Sequence, residues 1–553
     1  MRATRAAVRK LAGAMIVAAA LLVCVTLPSG VSAGVAARLA IDVKAGPSGI
    51  TSTGFSSNDQ LTPIGDHLYF TPYFARYGRE LWRTDGRSTS IVRDIDPGPG
   101  YGYRSEQKPV EYEGRYYFQA NSASTGDELW RLTPDGSDAE LAADINPGPQ
   151  SGYPRGLTVF KGKLYFTAGT PASGQEIFRF DGSTVEQVTD IKPGPADSWP
   201  GFGQDTVLDG YIYFLADDGI HGMELWRTDG ENTELWLDAT PGAEGSYFFS
   251  LKVAGERLYF ATRTDYGLNT QAWRSDGTTN QPLGRFEIWQ TVQVGRRVFF
   301  LAGSSLGVIK RPDAEPEFRQ LPYSAEVDNL TAIGDSLYFT ATDDVHGSEP
   351  WRIADGKLEL LGSEAHDDQG SIGWYPGQSG PFVEFDGKAF LTMYDSRHGS
   401  ELWAVRNGKA VLFKDILPGR DSGLPGLYAH FGDEVYFIAD DGVHGHELWH
   451  LFEDDIVQIA IPAQAPRIRN GHASVKLKCP PSEKAGPCRG SLKLSRGGRP
   501  IGKASFRIGA GHAGQPIVKL RRGVGAGPVS LEVVVRDDAG NSKTIKRSLR
   551  LVR

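Results

Sequence analysis

The chain has 553 residues with 59 Lys+Arg against 67 Asp+Glu, a formal net charge of −8, 68 Gly, 33 Pro and 10% aromatics. That length is too great for one ordinary compact core and suits an array of repeats with an appendage. Abundant Gly, Pro and aromatic residues, with almost no long helical pattern, read as an all-β chain rich in tight turns.

Residues 1–33 read as a secretory signal. Arg2, Arg5, Arg9 and Lys10 precede an apolar run from Leu11 to Leu27, and Val31-Ser32-Ala33 supplies a small-residue cleavage site. The run is near or below the ~20 residues a spanning helix needs. No later segment is apolar enough to cross a membrane, and Cys24 lacks the small preceding residue a lipidation signal would show. The expected location is secreted or cell-surface.

From residue 37 to 463 one unit recurs, seen most fully at Ala216–Gly230, which reads ADDGIHGMELWRTDG. An aromatic triplet precedes each Glu-Leu-Trp motif: 68–70, 116–118, 164–166, 212–214, 258–260, 298–300, 337–339, 389–391 and 435–437. These nine units each divide into four short strands, the signature of a β-propeller. The triplets are apolar at consecutive positions, so both faces of that strand are buried, as stacked blades require. The expected fold is all-β: a large propeller of about eight or nine four-stranded blades plus a small C-terminal β-sandwich.

Turn chemistry agrees with this division. Asp-Gly or Asn-Gly at 85–86, 135–136, 181–182, 229–230, 276–277, 355–356 and 407–408 suits a two-residue hairpin between the third and fourth strands. The Asp-Ile-x-Pro-Gly runs from Asp94, Asp144, Asp190 and Asp415 place Pro-Gly in a type II turn leaving one blade for the next. Ala37 to Val43, followed by Ala45-Gly46-Pro47, looks like a fourth strand whose first three are missing. It is expected to pair with the last blade near Val435 to Leu451 and close the ring, although Ile456 to Ile461 competes for that place. Unit six has lost the Glu-Leu-Trp motif, and Pro350 is expected at a strand start.

The units resemble the ELWxxDGT repeat family of secreted bacterial proteins over roughly residues 37–460. The pattern Ala216-x-Asp218-x-x-x-Gly222-x-Glu224-x-Trp226 also resembles the tryptophan-docking motif of quinoprotein-type propellers. That likeness implies a structural role between blades for Trp82, Trp130, Trp226, Trp273, Trp351, Trp403 and Trp449, with Phe178 as a substitute.

Glutamate stands two before these aromatics at Glu80, Glu128, Glu176, Glu224, Glu349, Glu401 and Glu447; arginine follows at Arg83, Arg131, Arg179, Arg227, Arg274 and Arg352. An offset of three along a strand puts Glu and Arg on opposite faces, so ion pairs between neighbouring blades are expected. The hairpin carboxylates Asp217, Asp218 and Glu224, Asp343, Asp344 and Glu349, and Asp440, Asp441 and Glu447 offer hard oxygens suited to Ca²⁺, the one cofactor the chain suggests. Against it, Asp-Asp-Gly is an ordinary turn sequence. His221, His346, His398 and His444 share a register with Tyr77 and Thr125, which reads as a hairpin tip rather than a zinc site. No catalytic residue is assigned.

From Gln464 onward there are 20 Lys+Arg against 4 Asp+Glu, a composition shift that marks a domain boundary. Six or seven strands alternate apolar with basic or polar residues between Val475 and Val552. They read as a β-sandwich, residues 464–553, that resembles immunoglobulin-like modules of exported bacterial proteins. Cys479 and Cys488 read as one short disulfide, with a metal site the weaker alternative. The basic face is either a solvated surface or a dock for an anionic partner such as a cell-surface polymer.

The functional expectation is a secreted, non-enzymatic, monomeric binding or cell-surface interaction module. Its extracellular protein or glycan ligand is expected on the loop-bearing rim, whose acidity disfavours nucleic acid. The rival is an extracellular propeller enzyme, quinoprotein-like or polysaccharide-acting. It is disfavoured by the absence of a Walker loop and of the adjacent-cysteine pair typical of many quinoprotein alcohol dehydrogenases.

Overall fold

The computed structural model describes residues 34–43, 61–104, 107–201, 203, 206–264, 269–303, 305–319, 326–343, 347–362, 382–454, 459–462, 465–480, 487–509, 511–536 and 542–553. The signal at 1–33, Ala45-Gly46-Pro47, Asp344 and His346 lie outside them. Among the described residues there is no α-helix, and none long and apolar enough to cross a membrane.

Nine four-stranded antiparallel sheets make up the propeller unit, Val35–Glu453. Blades are numbered here by their aromatic-triplet strands: His67–Phe70, Arg115–Ser122, Lys163–Thr170, Tyr211–Asp217, Arg257–Thr264, Arg297–Ala302, Ser336–Asp343, Lys388–Asp395 and Glu434–Asp440. Blade 4 shows the plan: Val207–Leu208, Tyr211–Asp217, Met223–Thr228 and Thr233–Leu237 pair in chain order. Blade 9 departs from it. Its fourth strand is the N-terminal Gly34–Ile41, hydrogen-bonded to His446–Asp454, so the first strand of the chain completes the last blade. Ile459 and Ile461, the competing candidates, are instead buried in the C-terminal core.

Among the described residues, each pair of neighbouring blades shares an apolar cluster. Trp130 packs with Tyr69, Val92 and Ile95 of blade 1, and Trp403 with Tyr338 and Leu361 of blade 7. Phe178, Trp351 and Trp449 are likewise buried, and Trp82, Trp226 and Trp273 half-buried, each against the preceding blade. Stacked sheets bury both faces of the central strands in this way, which explains the unbroken apolar runs. Blade 6 has no indole. Gly307 occupies the register opposite Phe300 that Trp273 occupies opposite Phe260. The Phe300 ring fills the space: a Cβ on Gly307 would lie 2.2 Å from it.

Two local expectations are corrected. In blades 1, 3, 4 and 5 the Asp-Gly turn is a four-residue loop, as Thr84↔Thr89 and Thr228↔Thr233 show. The Asp85, Asp181, Asp229 and Asp276 carboxylates cap it by accepting N–H bonds from residues two and three ahead. Only Asp355-Gly356 and Asn407-Gly408, with both residues at positive φ, make the two-residue hairpin. Pro350 sits inside the strand Gly347–Ala354, not at its start. At the matching place in blade 3, the Ile177 N–H donates to Thr189 Oγ1 and not to the ladder, because the fourth strand ends at Gln187, opposite Phe178. A proline at that register forfeits no ladder bond.

The second unit, Asp454–Arg553, begins ahead of the charge shift because Ile459 and Ile461 join its core. Its seven-stranded sheet runs in the order Ile468–Arg469, His472–Ser474, Ile517–Leu520, Arg499–Ile508, Cys488–Arg496, Gly527–Arg536, Ser542–Leu551. The sheet curls around one core formed by alternate residues such as Leu492, Leu494, Phe506, Val518, Leu531 and Val533. Cys479 and Cys488 are buried and disulfide-bonded, with Cα atoms 5.7 Å apart. Such a bond belongs to an oxidising compartment.

Candidate functional site

The buried carboxylates of Glu80, Glu128, Glu176, Glu224 and Glu401 bond to backbone N–H groups and hydroxyls, in place of the expected arginine. Glu128 accepts from the backbone N–H groups of Ile145, Asn146 and Gly152 at 2.7, 3.3 and 2.7 Å. Glu401 does the same with Ile416, Leu417 and Gly423. Glu176 and Glu224 bond to loop amides and a hydroxyl, and Glu80 to the N–H of Asp96. Each of these carboxylates gathers the Pro-Gly loop that leaves its own blade, an Asp-Ile-x-Pro-Gly run except at Glu224, where it is Asp238-Ala239-Thr240-Pro241-Gly242. The loop then joins the blades: Tyr153 N–H donates to Asp127 O of blade 2, while Gly152 O accepts from Gly169 N–H of blade 3. Equivalent bonds tie Ser198 to Gln175 and Asp217, and Leu424 and Gly423 to Ser400 and Asp440.

Burial pushes the carboxyls of Glu80, Glu128, Glu224 and Glu401 up to about 7, against the pull of the backbone donors and with a push from Asp94, Asp144, Asp238 and Asp415. Repeated in at least four blades and closed off by backbone, these groups order loops and have no access to a substrate.

Arginine does bridge blades, through carbonyls. Arg83 donates to Asp135 O, Arg179 to Gly230 O, Arg227 to Gly277 O and Arg274 to Pro312 O, each in the next blade. Within its blade Arg179 pairs with Glu186 at 2.7 Å, and the Arg227 guanidinium lies 3.6 Å over the Trp236 ring. Ion pairs do cross between blades, as Arg179 to Glu231 of blade 4 at 2.8 Å, but with glutamates outside the Glu-Leu-Trp motif.

The acidic hairpins do not converge on a cation. Asp217 pairs with Lys192 at 2.7 Å, and Asp218 accepts from Ile220 and His221 N–H and contacts His221 Nδ1. Asp441 and His444 repeat that arrangement, and Asp440 accepts from Gly442 N–H. Glu447 bonds to Val43 N–H. Glu349 is buried, and the backbone of Asp343 pairs with Gly347. Among the described residues no group of three or more His, Cys, Asp or Glu is placed to hold a metal ion. The histidines belong to the hairpin tips, where the Asp partner raises the pKa of His221 and His444.

The surface that remains is the rim carrying the loops that open each blade. Tyr153, Trp199 and Tyr247, at the matching loop position opening blades 3, 4 and 5, are 44, 57 and 54% exposed. Tyr101 and Trp289, in the segments opening blades 2 and 6, are also exposed. Tyr153 and Trp199 sit at φ near +52°, each directly before a proline. A bulky residue there is strained, and such strain concentrates at binding sites. A cleft of about 310 Å³ on this rim is lined by Arg79, Tyr101, Arg104, Asp127, Tyr153 and Arg155. Asp127 is buried at its base, held by Asn121 and Ser151. A second space of about 720 Å³ is lined by residues from blades 1, 2, 4 and 5, among them Thr62, Gln107, Gly201 and Leu251.

The sequence reading overlooked these aromatics, since they lie outside the Glu-Leu-Trp motif. Their signal is an aromatic before Pro in Tyr153-Pro154 and Trp199-Pro200, five residues after the Pro-Gly turn.

No protein-family model matches the chain, and no curated protein matches it. Among solved structures it is similar to a prolyl endopeptidase (13% identity, 63% of this chain and 54% of that one, TM-score 0.35). It is also similar to a Mycobacterium tuberculosis puromycin-hydrolyzing peptidase (13%, 66% and 62%, TM-score 0.34) and to the tricorn protease (13%, 89% and 62%, TM-score 0.24). The chain therefore spans less than two thirds of the length of these peptidases.

Proposed function

We propose that this is an exported, non-catalytic propeller of the ELWxxDGT type that binds an extracellular glycan on its aromatic rim. The observation that carries the reading is the run of exposed aromatics at matching loop positions of consecutive blades, two of them in strained backbone. Exposed Tyr and Trp faces offer apolar area at low entropic cost. The arginines and Asp127 beside them supply donors and an acceptor for hydroxyl groups, the mix a polar, ring-bearing ligand needs.

The buried disulfide and the signal-like residues 1–33 support export. A glycan-binding screen of the purified chain, with and without chelator, tests the proposal. Binding that survives chelator and leaves the ligand chemically unchanged is the expected result. Turnover of a bound ligand would establish an enzyme instead.

A further inference from the structure

The exposed face of the C-terminal sheet carries a row of like charges that the fold itself does not explain. Register aligns Arg469 with His472, His472 with Lys519, Lys519 with Lys503, Lys503 with Lys493, Lys493 with Glu532 and Glu532 with Lys546. One rung thus crosses all seven strands with a single acid in it. Neighbouring positions on a rung are about 5 Å apart, so the row spans on the order of 29 Å. A second rung sets Arg507, Arg489 and Arg536 side by side. Arg469, His472, Lys519, Lys503, Lys493, Arg489, Arg507 and Arg536 are all exposed. From Ile459 onward Glu532 is the only acidic residue among the described residues, and it lies 3.5 Å from Lys546. At one end of the first rung a groove of about 590 Å³ is lined by Arg467, Arg469, His472, Lys476, Gln515 and Ile517.

Like charges directly opposite on a sheet oppose folding. Alternate residues fill the core, so the basic residues face outward, and the register sets them side by side across adjacent strands. We infer that this face is a docking site for a linear anionic polymer of the cell exterior, one bearing a phosphate or carboxylate on each repeat and lying along the rungs. Electrostatic complementarity carries the assignment, since such a ligand supplies the counter-charge that the sheet lacks. Single-stranded nucleic acid fits less well, because it needs aromatic platforms for its bases. The one Phe, Tyr or Trp of this unit, Phe506, is buried in the core. The site uses none of the rim's residues and stands whether or not the rim binds a glycan.

The test uses the full chain and four probes: poly(glycerol phosphate), polygalacturonate, neutral dextran and a single-stranded DNA oligomer. Affinity is measured by calorimetry at low and high salt for the parent, for Lys503→Glu/Lys519→Glu, and for Arg296→Glu/Arg311→Glu. The last pair changes net charge equally, at exposed positions of blade 6.

The parent should bind one or both anionic polymers, should lose them in high salt, and should ignore dextran. The Lys503→Glu/Lys519→Glu variant should bind at least tenfold more weakly while its Tm holds or rises, because repulsion along the rung is relieved. The blade 6 variant should bind as the parent does. A preference between the two polymers identifies phosphate or carboxylate as the recognised group, and either supports the site. Absence of binding at low salt, equal weakening by both double variants, or DNA bound as tightly as the polymers would overturn it.

Discussion

Glu447 accepts a 2.7 Å hydrogen bond from the backbone N–H of Val43, 404 residues earlier in the chain. The bond copies what Glu128 makes with Ile145 and Glu401 with Ile416 inside their own blades. The N-terminal strand therefore enters blade 9 as a complete substitute for a local fourth strand, and its exit loop is held by the same carboxylate. Glu447→Ala should cost about 1–3 kcal/mol by stranding that donor. Glu401→Ala strands three donors and should also lower stability. Glu447→Gln keeps an acceptor and should cost less than Glu447→Ala. Urea unfolding of the three variants checks these costs, and deletion of residues 34–43 should lower the midpoint most.

The same carboxylates make stability depend on pH. Glu80, Glu128, Glu224 and Glu401 are pushed to about 7 in the fold, above an ordinary value of 4.5. The native state therefore keeps protons that the unfolded chain has released, and stability must fall as pH rises between about 4.5 and 7. Beside three of the four, Glu80, Glu224 and Glu401, Oδ1 of Asp94, Asp238 and Asp415 is buried without a hydrogen-bond partner. The urea midpoint should be higher at pH 5 than at pH 8. Replacing the four glutamates by Gln should flatten that difference.

At two matching positions of the blade interfaces, alanine should destabilise for opposite reasons, a cavity at one and a clash at the other. Trp403→Ala removes a fully buried indole and should cost about 3–5 kcal/mol. At Gly307, where the indole is missing, Gly307→Ala drives a methyl group into the Phe300 ring and should cost about 1–3 kcal/mol. Thermal unfolding distinguishes this from a site that is merely vacant, at which alanine would be neutral or stabilising.

Reduction of Cys479–Cys488 frees a short loop in the C-terminal core, and removing such a bond costs about 2–4 kcal/mol. Reductant should lower the unfolding temperature of that unit. Tryptophan fluorescence should leave the propeller unchanged, because every Trp lies before residue 454.

The architecture was legible because it repeats. The aromatic triplets, the Glu-Leu-Trp strands and the orphan strand near residues 37–43 each map onto one strand of a blade. The partners of the glutamates were not legible. Period-two reasoning orders side chains along a strand, but Glu128 is satisfied by a loop that leaves the sheet and folds back at Ile145 and Gly152. The Asp-Gly turns misled for a related reason: Asp85 and Asp229 cap a four-residue loop with their side chains, which the dipeptide alone does not distinguish from a two-residue turn. The rim aromatics escaped because Tyr153 and Trp199 are single residues in variable loops, recognisable only once their exposure and backbone conformation are known.

Binding by the aromatic rim is tested most directly with Trp199→Asn combined with Tyr153→Asn. Asparagine tolerates positive φ, so the double variant should unfold at or above the parent's temperature. Calorimetric titration with the glycan found for the parent should then show at least a tenfold loss of affinity. Full affinity in the correctly folded variant would contradict the assignment of the ligand surface to this rim.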